Sequence, residues 1–282
     1  MKRKYKLIVY AIFIIGIIIF SVFFYKAPDD DYTITFVDVG QGDSAVIKGK
    51  DTNILIDAGV HKDARNIRIA LDRLNVKKID LAVISHLDSD HVSGMSRIIN
   101  DYKVKKVITS KIADRYLPTS TGLDEFNVAL ELKKVPIYMV EAGERFKFKD
   151  IDISVLSPGE EYGDSNDDSA VLKVKCNNKT FMFTGDISAK VEKNLLKRND
   201  LKSDVLKVAH HGSYKSTSEE FLNSVNPSYA VVSVSKYNTY NLPNVTVMKR
   251  LYGYGCEVLR TDEMGSVTFH INGNDIRVER EK

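Results

Sequence analysis

Four side chains able to hold a metal ion, His86, Asp88, Asp90 and His91, fall within six positions, directly after the largely apolar run Ile79–Ile84. A buried strand that ends in His and Asp has no packing use for them. Carboxylates and imidazoles are costly to take out of water, and a bound cation offsets that cost. The i, i+2, i+4 spacing of His86, Asp88 and Asp90 sends their side chains to one side of an extended segment, where they can converge on one point. A helix cap needs one carboxylate and not such a quartet. These residues therefore read as a metal site.

The same grammar, an apolar run and then a polar ligand, recurs three times. Asp57 follows Ile54-Leu55-Ile56, Asp186 follows Phe183-Thr184-Gly185, and His210-His211 follow Leu206-Lys207-Val208-Ala209. Its repetition argues that these residues share one edge of the fold. The elements that must carry them can be read from periodicity. Strands are expected near 32–39, 43–48, 53–57, 79–85, 104–109, 136–140, 145–149, 151–156, 169–176, 179–184, 204–209, 228–234, 256–260 and 265–271, with an edge strand at 275–280. Helices are expected at 62–75, 94–100, 123–134, 188–198, 217–225 and 244–253. The helix at 62–75 carries Ile67, Ala70, Leu71 and Leu74 on one stripe, and Asn177-Asn178 turns a hairpin over 169–184. Two groups of strands with helices between them suggest two packed sheets flanked by helices.

The spacing His-x-Asp-x-Asp-His resembles the H-x-H-x-D-H signature of the metallo-β-lactamase superfamily, with Asp88 where the second His usually stands. Together with Val37-Asp38-Val39-Gly40-Gln41-Gly42-Asp43-Ser44, Thr184-Gly185-Asp186, His210-His211-Gly212-Ser213, Asn238-Thr239-Tyr240-Asn241-Leu242-Pro243 and Arg260–Gly265, it is similar to the extracytoplasmic hydrolase domain of the competence protein ComEC and its stand-alone relatives. The likeness runs over roughly residues 32 to 280 and implies a four-layer αββα metallo-β-lactamase sandwich. Two departures stand out. The stretch Ser165–Ser169 replaces a usual ligand His, so a ligand from it must be an oxygen, and Leu242 occupies a position where such relatives often carry His.

The resemblance implies two divalent metal ions bridged by Asp186. One would take His86, Asp88 and Asp186, with Asp168 as a further candidate; the other would take Asp90, His91, Asp186 and one of the two adjacent histidines. The sequence does not decide between these. His210 is the first choice as ligand, which leaves His211 to orient substrate or a water. Asp57 is expected to steady a ligating imidazole, and Asp90, His211 and Asp57 are the residues expected to serve catalysis. The oxygen-rich first position shifts preference from zinc towards manganese, so either Mn or Zn is expected. Ser213, Tyr240 and Asn238 are the candidate substrate contacts. Asp38, Gln41 and Asp43 form a polar turn, either capped locally or acting near the site. His61 and His270 lie outside every motif and read as surface residues.

At 282 residues, with 43% hydrophobic and 28% charged residues, the chain has the make-up of a globular protein apart from its start. Leu7–Phe24 is eighteen positions without a charge, preceded by Lys2, Arg3, Lys4 and Lys6. That reads as a single transmembrane helix within residues 1–26, a linker at 27–31, and a hydrolase domain at 32–282 exported by the positive-inside rule. A cleaved signal peptide is the rival reading. The net charge of +3 misleads, because five basic residues and no acid lie in the first 26, leaving 36 basic against 38 acidic beyond them. Nothing in that balance demands a nucleic-acid partner, and nothing demands a protein partner. The two cysteines, Cys176 and Cys256, lie far apart and support no disulfide framework. The expected activity is a membrane-anchored, extracytoplasmic, metal-dependent phosphodiesterase, with a nuclease acting on DNA as its most specific form. The competitors are an envelope phosphorylcholine or teichoic-acid esterase and a non-catalytic metal-binding relative.

Overall fold

The computed structural model describes residues 31–111, 120–198 and 200–282. The expected anchor at residues 1–26 lies outside them, and among the described residues no helix is long and apolar enough to cross a membrane. In chain order the strands are β1 (Tyr32–Phe36), β2 (Ala45–Lys48), β3 (Asn53–Ile56), β4 (Lys78–Ile79), β5 (Leu81–Ile84), β6 (Lys103–Val104), β7 (Val107–Ser110) and β8 (Ile137–Val140). There follow β9 (Arg145–Lys147), β10 (Ile151–Ser157), β11 (Val171–Cys176), β12 (Lys179–Phe183), β13 (Val205–Lys207), β14 (Tyr229–Val232), β15 (Glu257–Arg260), β16 (Val267–Asn272) and β17 (Asp275–Arg280). One sheet has the order β17-β16-β1-β2-β3-β5-β7-β8, and the other β15-β14-β13-β12-β11-β10-β9.

Three apolar layers make the architecture. Between the sheets lies a cluster that includes Phe36, Phe181, Phe183 and Phe269. Phe36 stacks on Phe183 at 5.5 Å and meets Phe269 edge-on at 5.8 Å. A buried ring of this kind contributes about 2–3 kcal/mol. Outside the first sheet, helices α1 (Ala64–Arg73), α3 (Met95–Asp101) and α4 (Thr121–Lys133) bury Ile67, Leu71, Met95, Ile98 and Phe126 against its other face. Outside the second, α5 (Ala189–Leu195), α6 (Glu219–Val225) and α7 (Val245–Tyr254) do the same with Val191, Phe221 and Leu251. The layers are helix, sheet, sheet, helix, the αββα order that the resemblance implies.

Direction is what places the site. Strands β3, β5, β7 and β8 run parallel, as do β12, β13, β14 and β15. Ligand sites of α/β folds gather at the carboxyl ends of parallel strands. Asp57 follows β3, His86 follows β5, Asp186 follows β12, His210 and His211 follow β13, and Ser233 follows β14.

Several boundaries differ from the sequence reading. The strand expected at 79–85 is broken at Asp80, whose carboxylate binds the Lys78 and Lys105 ammonium groups at 3.0 and 2.7 Å. The hairpin at Asn177-Asn178 forms as expected, with Asn177 in the left-handed region (φ 54°). Within the metal motif, Ser89–Val92 forms a short helix α2 rather than an extended segment. The helical turn, and not strand alternation, therefore sets the directions of Asp90 and His91.

Candidate metal centre

The first half of the site is built around Asp57. This residue leaves β3 with a left-handed backbone (φ 55°) and is buried. Its carboxylate accepts the Ser85 N–H at 2.7 Å and the Ser85 hydroxyl at 2.8 Å, and lies 3.1 Å from His91 Nδ1. With Nδ1 held on that side, the Nε2 atom of His91 faces inward. His86 is fully buried, its Nδ1 3.1 Å from Ser85 Oγ and 3.3 Å from Ser169 Oγ. Asp88 precedes α2 with an extended backbone, and its side chain accepts no cap hydrogen bond from the helix. Instead, its Oδ1 accepts the Ser165 hydroxyl at 2.5 Å, and its Oδ2 lies 3.8 Å from His86 Nε2.

The second half faces the first. Gly185 (φ 51°) brings the chain against Ser169, where a Cβ would meet the serine side chain at 2.8 Å. Asp186 next to it is buried and stands between imidazoles. Its Oδ1 lies 3.5 Å from His91 Nε2, and its Oδ2 lies 3.4 Å from His211 Nε2 and 3.8 Å from His210 Nε2. The helix α5 that follows is capped by Ser188, so Asp186 has no capping duty. His210 and His211 are both left-handed (φ 50° and 53°), and their rings stand at 82° to each other. His211 Nδ1 donates to the Ser233 carbonyl at 2.9 Å, which turns its Nε2 to within 3.3 Å of Asp90 Oδ2.

Buried polar atoms ordinarily find partners, and each that does not costs about 1–3 kcal/mol. Here His86 Nε2, His91 Nε2, Asp186 Oδ1 and His211 Nε2 are all buried without a hydrogen-bond partner among the described residues. They face one another. Two sets, His86/His91/Asp186 and Asp90/His91/His211, each have donor atoms within 4.8 Å of one another. A mixed imidazole and carboxylate set with its free lone pairs converging fits divalent cations.

The electrostatics agree with that fit. Burial pushes the Asp90 and Asp186 carboxyls up, but the facing His211 and His91 imidazoles outweigh it and hold both below the usual carboxylate range. Burial pushes His91 and His211 down, yet Asp186, with Asp57 for His91 and Asp43 for His211, raises both well above the usual imidazole value. His86 is lowered by burial and by the neighbouring charge of His91. In the metal-free protein, then, protons on His91 and His211 supply the positive charge that the carboxylates require.

The metallo-β-lactamase superfamily model matches residues 37–236. The chain belongs to that superfamily. It is 28% identical to ComE operon protein 3 of Bacillus subtilis (strain 168) over 272 residues, which cover 89% of this chain and 34% of that protein. Competence protein ComA of Neisseria gonorrhoeae is 31% identical over 257 residues, 90% of this chain and 34% of that one. The chain thus spans about a third of the length of these curated relatives. Among solved structures, Igni18, a metallo hydrolase from Ignicoccus hospitalis, aligns with a TM-score of 0.55 at 16% identity over 85% of this chain and all of that one. CmlA, a diiron beta-hydroxylase from Streptomyces venezuelae, aligns with a TM-score of 0.57 at 14% identity, over 87% and 55%. At such identities these two show the fold alone.

Within this metallo-β-lactamase fold the sequence-derived candidates divide clearly. His86, Asp90, His91, Asp186 and His211 meet at one edge, and Asp88 stands beside His86. His211 lies in the inner cluster, its ring held at the Ser233 carbonyl, whereas His210 stands at the margin with its Nε2 3.8 Å from Asp186 Oδ2. The His210 side chain is 26% exposed and lines the cleft over the site. Asp168 joins neither set: its Oδ1 accepts the Tyr162 N–H at 2.8 Å, its Oδ2 is buried without a hydrogen-bond partner among the described residues, and the neighbouring Ser169 reaches His86. Ser213, Tyr240 and Leu242 line the cleft, whose volume is about 500 Å³. Asn238 does not. Its amide bridges the Ser235 and Leu242 carbonyls at 2.8 and 2.7 Å and staples its own loop.

Four residues with a place in the site carried little signal in the sequence. Ser85 and Ser169 are serines beside recognised motifs. Asp43 lies in the polar turn, and Lys207 sits inside an apolar strand. For Asp43 and Lys207 the usable signal is a lone acid and a lone base, each at the end of a buried run, which only the sheet order brings together.

Proposed function

We propose that this chain is a metal-dependent phosphodiesterase that acts on DNA outside the cytoplasm and is held at the membrane by its N-terminal segment. The observation that carries the hydrolytic part is the convergence of four buried, unpartnered imidazole and carboxylate atoms beneath an open cleft. The competence-protein relatives support DNA as substrate, and the uncharged run Leu7–Phe24 with its basic flank supports the anchor. On this reading His86, Asp88 and Asp186 would hold one divalent ion, and Asp90, His91, His211 and Asp186 the other. When bound, manganese or zinc ions there supply Lewis acidity to a phosphoryl oxygen and a water of lowered pKa.

The protein's own groups do the rest. Asp57 orients the His91 imidazole and Ser233 that of His211, and Asp186 faces imidazoles of both halves. His210, exposed on the cleft wall, and Ser213 offer hydrogen-bond donors to the phosphate of a substrate, and Lys215 on the same wall offers a positive charge. Tyr214 and Tyr240, both 69% exposed at the cleft, favour a second reading, an envelope esterase that encloses a choline-like cation against aromatic faces.

The test is hydrolysis of bis(p-nitrophenyl) phosphate and of labelled single-stranded DNA by the full chain in detergent, metal-free and then with manganese or zinc. An Asp90→Ala/His91→Ala variant serves as control. Metal-dependent cleavage of both substrates, lost in the variant, supports the nuclease. Cleavage of the small ester alone moves the reading to the envelope esterase, and no turnover with any metal leaves a binding role.

A further inference from the structure

Lys207, the last residue of β13, is a fully enclosed ammonium group. It is 3% exposed, and it lies 2.6 Å from Asp43 Oδ2 while donating to the Val208 carbonyl at 2.9 Å. Asp43 is itself buried, and its second oxygen stands 3.4 Å from His211 Nδ1. A buried charge pair has a desolvation cost that a well-packed apolar pair avoids, so the fold has no stability reason to prefer it here.

Position supplies a reason. Asp43, Asp186 and His211 form a third set whose donor atoms lie within 4.8 Å of one another. Asp43 is thus close enough to compete for a cation with the residues that face the cleft. The Lys207 ammonium already sits on one oxygen of its carboxylate, Oδ2, while Oδ1 has no hydrogen-bond partner among the described residues. The loop that carries Asp43 also grips Asp90: the Asp43 N–H donates to the Asp90 carbonyl at 3.2 Å, and a side chain at Gly42 (φ 131°) would collide with that carbonyl.

We propose that Lys207 and Asp43 are a buried positioning pair, in which the Lys207 ammonium keeps the Asp43 carboxylate out of the ligand set. The Asp43 charge in turn lies against the Nδ1 side of His211, whose hydrogen bond goes to the Ser233 carbonyl, and so favours the ring orientation in which Nε2 faces Asp90 and Asp186. The proposal rests on the reading of the cluster as a metal centre. Neither residue touches substrate; both act through His211 and the Asp90 backbone.

The test uses the full chain in detergent, loaded with cobalt(II). The readouts are the cobalt absorption spectrum, affinity by chelator competition, and kcat and KM on bis(p-nitrophenyl) phosphate. The double variant Asp43→Asn/Lys207→Met removes both charges together. It is expected to melt as the parent does, to bind one ion unchanged, and to bind the second about 10–100-fold more weakly, with kcat falling and KM held. Lys207→Met alone releases the carboxylate and is expected to change the cobalt spectrum as an oxygen joins the ligand set. If neither of these folds, Lys207→Arg keeps the charge but displaces it, and a shifted cobalt spectrum is again expected. A folded double variant, or a folded Lys207→Arg, with the parental spectrum and affinity overturns the positioning role. Failure of the parent to bind cobalt at all is a different result, which removes the metal reading itself and the pair with it.

Discussion

The two halves of the site are held by different means. On the first sheet, one carboxylate, Asp57, and one hydroxyl, Ser85, fix both inward-facing imidazoles through side-chain hydrogen bonds within a single short stretch of fold. On the second sheet, His211 is fixed by a backbone carbonyl from β14 and approached by Asp43, an acid from the first sheet, which is paired in turn with a lysine from β13. The first half is the more local, with Ser165 and Ser169, ahead of β11, adding single contacts to Asp88 and His86. The second is assembled from four chain segments and needs both sheets in register. Loss of packing between the sheets should therefore dismantle the second half first, while a change at Asp57 should reach the site through His91.

The largest expected effect comes from Asp186, the second-half residue that faces imidazoles of both halves. Asp186→Asn removes the charge between the imidazoles, and phosphodiester cleavage should fall by about a thousandfold or more, since several kcal/mol of charge stabilisation is at stake. A fall of less than about tenfold, measured as kcat/KM on bis(p-nitrophenyl) phosphate, would remove Asp186 from the centre. Next in size is Asp57→Asn, expected to lower the affinity for the ion shared by Asp90, His91 and His211 by about 10–100-fold through His91, and to alter the ion held by His86 and Asp88 less. Chelator competition resolved into two binding steps checks that separation.

A third expectation distinguishes the adjacent histidines. His211→Ala should lose one ion from the protein, whereas His210→Ala should keep its metal content and lose activity by about tenfold, the range for a single positioned donor to substrate. Metal analysis of the two purified variants decides it.

A fourth concerns protons. His91 and His211 are raised well above the usual imidazole value of 6.5 by their carboxylate neighbours, against the pull of burial, while His86 is lowered. At neutral pH the metal-free site therefore carries protons on His91 and His211 but not on His86. Metal uptake must displace them, so about two protons should be released, and affinity should weaken as pH falls and recover as pH rises through the raised values. Calorimetric titration in buffers of different ionisation enthalpy measures the number, and release of none would contradict the assignment. The smallest effect is at the rim: Tyr240→Ala should raise KM for DNA a few-fold and leave the small ester unaffected, the scale of one stacking contact.

The contrast between the halves also explains what the sequence made legible. His86, Asp88, Asp90 and His91 could be read together because the local half keeps its ligands within six positions, even though a helical turn rather than strand alternation aims them. Asp186 was legible as the polar end of an apolar strand. The choice between His210 and His211 was not, since it depends on the Ser233 carbonyl, a backbone group with no mark in the sequence. Asp168 reads as an oxygen ligand in the sequence, but the Tyr162 N–H holds its Oδ1 away from the clustered sets, and Ser169 is the residue of that stretch that reaches His86. Asn238 has the composition of a substrate contact and works as a loop staple. The strand and helix pattern was readable almost throughout, with misplacement at the breaks: Asp80 inside an expected strand, and the turns at 89–92 and 209–212.

Whether two divalent ions sit between these halves is read directly from metal content per chain after reconstitution with manganese or zinc and removal of excess. About two ions per chain are expected for the parent, falling to about one in His211→Ala and unchanged in His210→Ala. A parent that retains no metal, or a content that ignores both His211→Ala and Asp186→Asn, would contradict the account.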